Sequence, residues 1–136
     1  MSSPEQIINE YGFYSAPVHG MSMYPLLTNH RDSVYIEPPE NLKKYDVVLF
    51  RRQSGQLVLH RILKIDNDKF YICGDNEFSK EIVYKRQIIG KMTEFCRNGK
   101  NGKTDSFRFK LYSRCFGSSF FIKRILLRIY TKFYKG

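Results

Sequence analysis

The chain has 136 residues, of which 42% are hydrophobic and 15% aromatic. This length and composition predict one domain with a packed core and exclude a globally disordered chain. The formal net charge is +10, and residues 106–136 carry eight basic side chains and no acidic one. Such a basic C-terminal region favours an anionic partner, which leaves lipid headgroups, nucleic acid and acidic peptides open.

Three features argue against a secreted, membrane-spanning or zinc-binding protein. The N-terminus has neither the basic residues nor the apolar run of a signal peptide. No segment reaches the roughly 18–20 apolar residues of a membrane span. Cys73, Cys96 and Cys115 are far apart and form no CxxC motif, so neither a metal site nor a disulfide framework is expected.

The first predicted element is a short helix. Ser3 and Gln6 can form a capping box around Pro4, and Gly12 can end the helix. Short runs of alternating polar and apolar residues then follow, separated by turn residues, which is typical of hairpin-connected strands. The predicted strands are 33–37, 46–51, 57–65, 69–73 and 87–95, with turns at 53–56 and 66–68.

The C-terminal part is predicted to be helical. Residues 97–106 are polar and rich in Gly and Asn, which favours a loop or linker. Beyond it, apolar residues recur at helical spacing and form one stripe. The stripe consists of Ile122, Ile125, Leu126, Ile129, Tyr130 and Phe133. Such a helix can pack on its own domain, lie in a membrane interface or, less favourably, contact nucleic acid.

The expected fold is mainly β, a small and strongly bent antiparallel barrel or sandwich with a short N-terminal helix and a basic C-terminal helix. The expected organisation is a β domain at 1–96, a loop or linker at 97–106 and a basic amphipathic tail at 107–136.

Ser22 and His60 are the candidate residues for nucleophilic chemistry. A serine hydroxyl becomes a good nucleophile when a neighbouring base takes its proton, and imidazole titrates near neutral pH. In strand alternation, His60 shares an inward face with Val58 and Ile62, so a buried histidine with an ordinary packing role is the competing interpretation. His19 and His30 flank Ser22 and can compete as the base.

The segment Gly74-Asp75-Asn76 follows a predicted strand and offers a candidate acid for a catalytic triad with Ser22 and His60. This sequence is typical of a turn whatever else it does. A carboxylate at Asp75 can in addition orient His60 and fix its tautomer, as the acid of a triad does.

Together these segments resemble the serine peptidases of the S24/S26 superfamily, which includes type I signal peptidases and self-cleaving repressors. The segment 20–26 (GMSMYPL) resembles their nucleophile box, and the segment 45–50 (YDVVLF) resembles the strand that follows it. Leu59-His60-Arg61-Ile62, Gly74-Asp75-Asn76 and Ile88-Ile89-Gly90-Lys91 match the later boxes in order and spacing. The resemblance covers about residues 18–95. Histidine at position 60 is similar to the endoplasmic-reticulum and archaeal type rather than to the lysine-base enzymes.

The resemblance implies roles for particular residues. Ser22 would be the nucleophile, His60 the base, and Asp75 or Glu81 the acid, because the histidine-type enzymes carry an acidic residue shortly after the Gly-Asp-Asn box. Gly20 stands where the family usually has serine, so the oxyanion would rest on backbone N–H groups of Gly20, Met21 and Ser22.

The resemblance also implies a substrate and a setting. The adjacent Met23 and Pro25 are expected to contact the substrate. Only 21 residues precede Ser22, so we expect a variant without the usual transmembrane anchor. No metal or cofactor is needed for this chemistry.

The expected function is that of a serine endopeptidase that removes a leader or signal segment from a peptide or protein. The alternative is an inactive or self-cleaving regulatory or binding module on the same fold. A membrane surface, contacted through Arg124, Arg128 and Lys132, is a possible further partner, and nucleic acid is disfavoured. The expected location is cytoplasmic or peripherally membrane-associated.

Overall fold

The structure is a computed structural model that describes residues 2–135, with side chains described as far as residue 132. The helices are α1 (Pro4–Tyr11), α2 (Phe107–Gly117) and α3 (Phe120–Lys135). The strands are β1 (Tyr14–Pro17), β2 (Ser33–Glu37), β3 (Val47–Arg51), β4 (Leu57–Asp66), β5 (Lys69–Cys73), β6 (Glu81–Tyr84), β7 (Ile88–Arg97) and β8 (Lys100–Lys103).

All eight strands form one antiparallel sheet that curls into a half-barrel. The strand order is β1-β2-β7-β3-β4-β5-β6, and β8 pairs with the far end of β7. Strand β7 therefore lies in the middle of the sheet, between β2 and β3, although it is late in the sequence. The predicted mainly-β fold is confirmed.

The sheet is buried on both faces at its centre, which explains why β3 is apolar without interruption. Val47 and Leu49 belong to one hydrophobic cluster, and Val48 and Phe50 to another on the opposite face. Phe109 of α2 packs in the first cluster, so α2 covers part of that side of the sheet. Residues 107–117 are thus part of the same core as the strands.

The predicted start of the chain is confirmed in detail. Ser3 and Gln6 exchange the two hydrogen bonds of a capping box, and Pro4 occupies the first turn of α1. Gly12 ends the helix in the left-handed conformation, with φ of 84°, where glycine is favoured over other residues.

The region between residues 97 and 106 differs from the predicted loop or linker. Strand β7 extends to Arg97, turns at Asn98 and Gly99, and returns as β8. A Gly-rich polar segment can still pair at a sheet edge, because the ladder uses backbone groups. The sequence also gave no strong signal for the short strands β1 and β6.

The basic tail forms two helices instead of one, with α2 ending at Gly117 and Ser119 capping α3. The predicted apolar stripe of α3 faces the domain only in part. Ile122, Ile125 and Ile129 are 42%, 44% and 47% exposed, whereas Leu126 and Tyr130 are half-buried and the Tyr130 ring contacts Phe116 of α2. Among the described side chains of this helix, as far as residue 132, Lys123 and Leu127 are buried. The side chain of Phe133, also assigned to the stripe, lies outside the described side chains.

Candidate active site

The Ser22 segment is a turn that follows β1 and is fixed at both ends. Gly20 adopts φ of 84° and donates its N–H to Asn29 Oδ1 at 2.8 Å. Ser22 itself is half-buried. Its carbonyl oxygen accepts a hydrogen bond from the backbone N–H of Asn76 at 2.9 Å. The segment is therefore held by contacts from two distant parts of the chain.

One of these parts is the loop 74–77, which begins the connection from β5 to β6. Besides its backbone bond to Ser22, Asn76 donates its side-chain N–H to the Met21 carbonyl at 3.1 Å. Gly74 lies in close contact with both candidate residues: a Cβ there would lie 2.6 Å from the backbone carbonyl oxygen of Ser22 and 3.1 Å from His60 Nε2. Ser22 and His60, far apart in sequence, are thus neighbours across Gly74.

His60 lies on β4 and is only 2% exposed. Its inward face, shared with Val58 and Ile62, is confirmed. The ring contacts Phe50 edge-on, with centroids 5.9 Å apart. Its Nε2 atom, on the Ser22 side, lies 3.2 Å from Glu77 Oε1.

The other ring nitrogen of His60 faces Glu81. Nδ1 lies 3.6 Å from Glu81 Oε1, which is too long for a hydrogen bond, and no described residue bonds to this buried atom. Glu81 is held instead by Arg52, whose two nitrogens donate to the carboxylate at 2.8 and 3.1 Å. A small movement of Glu81 would bring its carboxylate within hydrogen-bonding distance of Nδ1.

The electrostatic surroundings of His60 favour its neutral form. Burial lowers the pKa of His60 below its ordinary value of 6.5, while the carboxylates of Glu77 and Glu81 oppose this shift and Arg52 adds to it. A histidine that is neutral at physiological pH can accept a proton, as a general base must.

Asp75 is bonded to a partner other than His60. Both of its carboxylate oxygens accept hydrogen bonds from Arg61, at 2.8 and 2.9 Å, and both residues are buried. The Tyr112 hydroxyl of α2 donates to the same carboxylate at 2.9 Å, and Arg61 donates to Ser113 of α2 at 2.6 Å. Of the two predicted acids, Glu81 is therefore the one beside His60, and Asp75 joins the loop to β4 and α2.

Helix α3 holds the other end of the same loop through Lys123. This lysine is 1% exposed, and its Nζ donates to the carbonyl oxygens of Gly74, at 3.1 Å, and Glu77. The ammonium group also lies 4.8 Å from the ring centre of Phe120, a favourable cation–π distance. A buried lysine is costly unless its donors are satisfied, and here the two loop carbonyls and Cys73 Sγ, at 3.6 Å, accept from them.

Ser22 and His60 line a cleft of about 380 Å³. Much of the lining is apolar and comes from β1, β2 and β4. Met23 lines it too but is only 2% exposed and packs in the core, while Pro25 is buried and does not line it. His19 reaches the cleft edge, where its ring contacts His30.

The N–H groups expected to hold an oxyanion are not equivalent. That of Gly20 is already bonded to Asn29. Those of Met21 and Ser22 have no acceptor among residues 2–135. Of the three expected donors, the free ones in the described chain are therefore the N–H groups of Met21 and Ser22.

Three residues of this site were missed by the sequence reasoning. Arg61 carried a signal, since it is a charged residue inside an apolar strand, next to the candidate base. Glu77 lies two positions after Asp75 and was not weighed against Glu81. Lys123 is one of several basic residues in the C-terminal helix and carried no signal of its own, although it is the buried centre of the α3 contact with the loop.

Two kinds of feature are not found in the described part of the chain. No group of three or more His, Cys, Asp or Glu side chains there is arranged to hold a metal ion. Among the same residues, no helix has the length and apolar character needed to cross a membrane.

Comparison with known proteins places the chain in a family. A family model described as Peptidase S24-like matches residues 1–93, which include α1, the Ser22 segment, His60 and the loop 74–77. The comparison with curated proteins gave no match. The match supports a serine-type peptidase or a related self-cleaving fold. It covers more than half of the chain, and the chain therefore belongs to the Peptidase S24-like family.

Proposed function

We propose that this protein is a serine endopeptidase that removes a leader or signal segment from a peptide or protein. The observation that carries the proposal is the meeting of Ser22 and His60 around Gly74, beside an apolar cleft. Family membership supports serine-type peptidase chemistry in general. The family match does not address the kind of substrate, so the leader or signal segment is part of our proposal.

The cleft fits a peptide bound in an extended conformation. Strand β1 ends the strand order of the sheet, and Tyr14, Ala16 and Pro17 of β1 line the cleft. A peptide can add to such an edge through backbone hydrogen bonds while its side chains enter the cleft. The apolar lining, which includes Val34, Leu49 and Leu57, favours apolar residues next to the scissile bond.

The reaction is acyl transfer. His60 takes the Ser22 proton at Nε2, and the Ser22 oxygen attacks the scissile carbonyl. The N–H groups of Met21 and Ser22 stabilise the oxyanion. His60 then protonates the leaving amine, and water, activated by His60, hydrolyses the ester. Glu81 acts on Nδ1 and stabilises the imidazolium.

Glu77 must leave His60 before this sequence begins. Its carboxylate occupies the Nε2 side of the ring at 3.2 Å, and its side chain is 44% exposed. An exposed side chain can rotate away at low cost when a peptide enters the cleft. The described arrangement therefore corresponds to a resting state, in which Nε2 of His60 faces the Glu77 carboxylate.

The same contact favours the inactive form of the second candidate, a regulatory module on the same fold that is either inactive or self-cleaving. If Glu77 remains on Nε2 with peptide bound, His60 cannot act as the base. Incubating the purified chain alone and measuring its intact mass tests self-cleavage, which gives two fragments from a wild-type chain and none from Ser22→Ala.

The test of the main proposal uses a pool of leader-like synthetic peptides and mass spectrometry. Ser22→Ala and His60→Ala should each reduce cleavage by about 10⁴-fold or more while circular dichroism stays unchanged. Ser54→Ala and His30→Ala are matched controls at exposed positions and should cut at the wild-type rate. Cleavage by Ser22→Ala at the wild-type rate would show that Ser22 is not the nucleophile.

A further inference from the structure

Helix α3 has an outward face that nothing in the described chain covers. Phe121 is 73% exposed, and Ile125 and Ile129 are 44% and 47% exposed. These residues are spaced by four, so they lie along one side of the helix. The opposite side, with Lys123 and Leu127, packs on the domain. The outward side is therefore an exposed apolar surface on a helix whose inward side is already packed against the domain.

Cations border this apolar face. Arg124, Arg128 and Lys132 are also spaced by four and form a parallel stripe beside it. The three line an open groove of about 660 Å³ whose other walls include Asn76 and Phe78, and no acidic residue lines it. Residues 106–136 contain no acidic side chain at all. The face thus presents apolar side chains next to uncompensated positive charge.

We propose that the outward face of α3 binds the surface of an anionic lipid bilayer, with the helix lying parallel to it. Helices of this kind bury an apolar face at the level of the headgroups and place Lys and Arg against the lipid phosphates. Each cation near an anionic membrane strengthens the attraction. Phe121, Ile125 and Ile129 would enter the bilayer, and Arg128 and Lys132 would contact headgroups.

The charge and polarity of this face favour an anionic bilayer over a second copy of the chain or a nucleic acid. A second copy of the chain would bring two basic stripes together without any acidic residue from 106–136 to balance them. A nucleic acid would use the cations but would leave Phe121 and the isoleucines exposed to water. An anionic bilayer is the partner that takes both the apolar and the cationic side chains.

Binding there would bring the candidate active site near the lipid surface. Lys123 of the same helix holds the carbonyl oxygens of Gly74 and Glu77. The loop 74–77 therefore stays attached to α3, and Asn76 and Phe78 line the same groove as the cations. The proposal concerns binding only, so its test does not depend on peptidase activity.

The experiment is co-sedimentation of the full chain with phosphatidylcholine vesicles, with and without phosphatidylglycerol. Wild-type protein should sediment only with the anionic vesicles, and less so as salt is raised. Ile125→Ser with Ile129→Ser should reduce the partition coefficient at least tenfold. Arg128→Gln with Lys132→Gln should reduce it about fivefold for each cation removed. Circular dichroism and thermal melting establish that the variants remain folded.

Matched controls are exposed residues outside the C-terminal helices. Ile82→Ser replaces an isoleucine on β6 that is 50% exposed, and Lys69→Gln with Lys85→Gln removes two exposed cations. These variants should bind anionic vesicles like the wild type.

Three results would overturn the proposal. The first is a wild-type chain that does not sediment with anionic vesicles. The second is loss of binding in the controls to the same extent as in the α3 variants, which would indicate attraction by net charge alone. The third is a wild-type dimer in analytical ultracentrifugation that Ile125→Ser with Ile129→Ser converts to monomer, which would assign the face to a second copy.

Discussion

The buried pair of Arg61 and Asp75 allows the two predicted triad acids to be told apart. Asp75→Asn leaves the Arg61 guanidinium, 0% exposed, without a counter-charge. Breaking a buried ion pair in this way costs about 3–5 kcal/mol, a large part of the about 5–15 kcal/mol that keeps a domain folded. At this chain length, the loss corresponds to a fall in melting temperature of roughly 10–20 °C.

Two further sets of variants measure how much of this loss comes from the unpaired Arg61 charge. Tyr112→Phe removes a single hydrogen bond to the same carboxylate and should cost about 1–3 kcal/mol, because the acceptor is charged. Replacing both partners, as in Arg61→Met with Asp75→Leu, removes the buried charges together and should recover most of the lost stability.

Two measurements on Asp75→Asn decide the matter. Thermal melting gives the stability, and labelling with a serine-reactive probe, well below the melting temperature, gives the reactivity of Ser22. We expect a large loss of stability with labelling within about tenfold of wild type. A wild-type melting temperature with labelling reduced about 10⁴-fold, the effect of losing a triad acid, would refute this reasoning and assign Asp75 to His60.

Three further predictions concern the groups around His60. Glu77→Gln removes a charge that raises the pKa of His60; the acid limb of the labelling rate should therefore move to lower pH, and a shift to higher pH would contradict the assignment. Gly74→Ala would place a Cβ 2.6 Å from the Ser22 backbone carbonyl oxygen and 3.1 Å from His60 Nε2; because this pushes the two residues apart, it should abolish labelling in a chain that circular dichroism shows to be folded, and unchanged labelling would mean that the close contact is not needed. Lys123→Met removes the donors to the loop carbonyls, and hydrogen exchange should accelerate in 74–77 more than in β3; uniform acceleration would indicate a global effect.

The burial of His60 also predicts how stability depends on pH. Because its pKa in the fold is lower than 6.5, the unfolded chain binds the proton first as pH falls. The contribution of neutral His60 to stability is therefore complete above about pH 6.5 and declines as pH falls towards the lower pKa of the folded state. Urea unfolding of wild type and His60→Phe across this range measures the difference, which should shrink at low pH.

Local patterns in the sequence were sufficient to predict much of the sheet. The capping box at Ser3, the turn at 53–56 and the alternation around His60 are short-range signals, and each is confirmed. Strand β8 was missed because its residues, Lys100–Lys103, have the composition of a loop, and their pairing with β7 depends on a tertiary context that composition does not report.

The partners within the candidate site were harder to predict. The number of residues between His60 and Asp75 agrees with the family pattern. It cannot show that Arg61, on the opposite face of the same strand, donates both hydrogen bonds to the Asp75 carboxylate. Helix α3 is a comparable case. The helical spacing of its apolar residues is visible in the sequence. Its buried side is nevertheless centred on Lys123, because carbonyl oxygens of the loop 74–77 contact the helix there.

The most direct test of the central claim is to locate a serine-reactive phosphonate on the full-length protein by mass spectrometry. We predict one adduct, on the peptide that contains Ser22, which is absent in Ser22→Ala and reduced about 10³-fold or more in rate in His60→Ala. An unlabelled wild type, or an adduct that persists in Ser22→Ala, would contradict the assignment of Ser22 as the nucleophile.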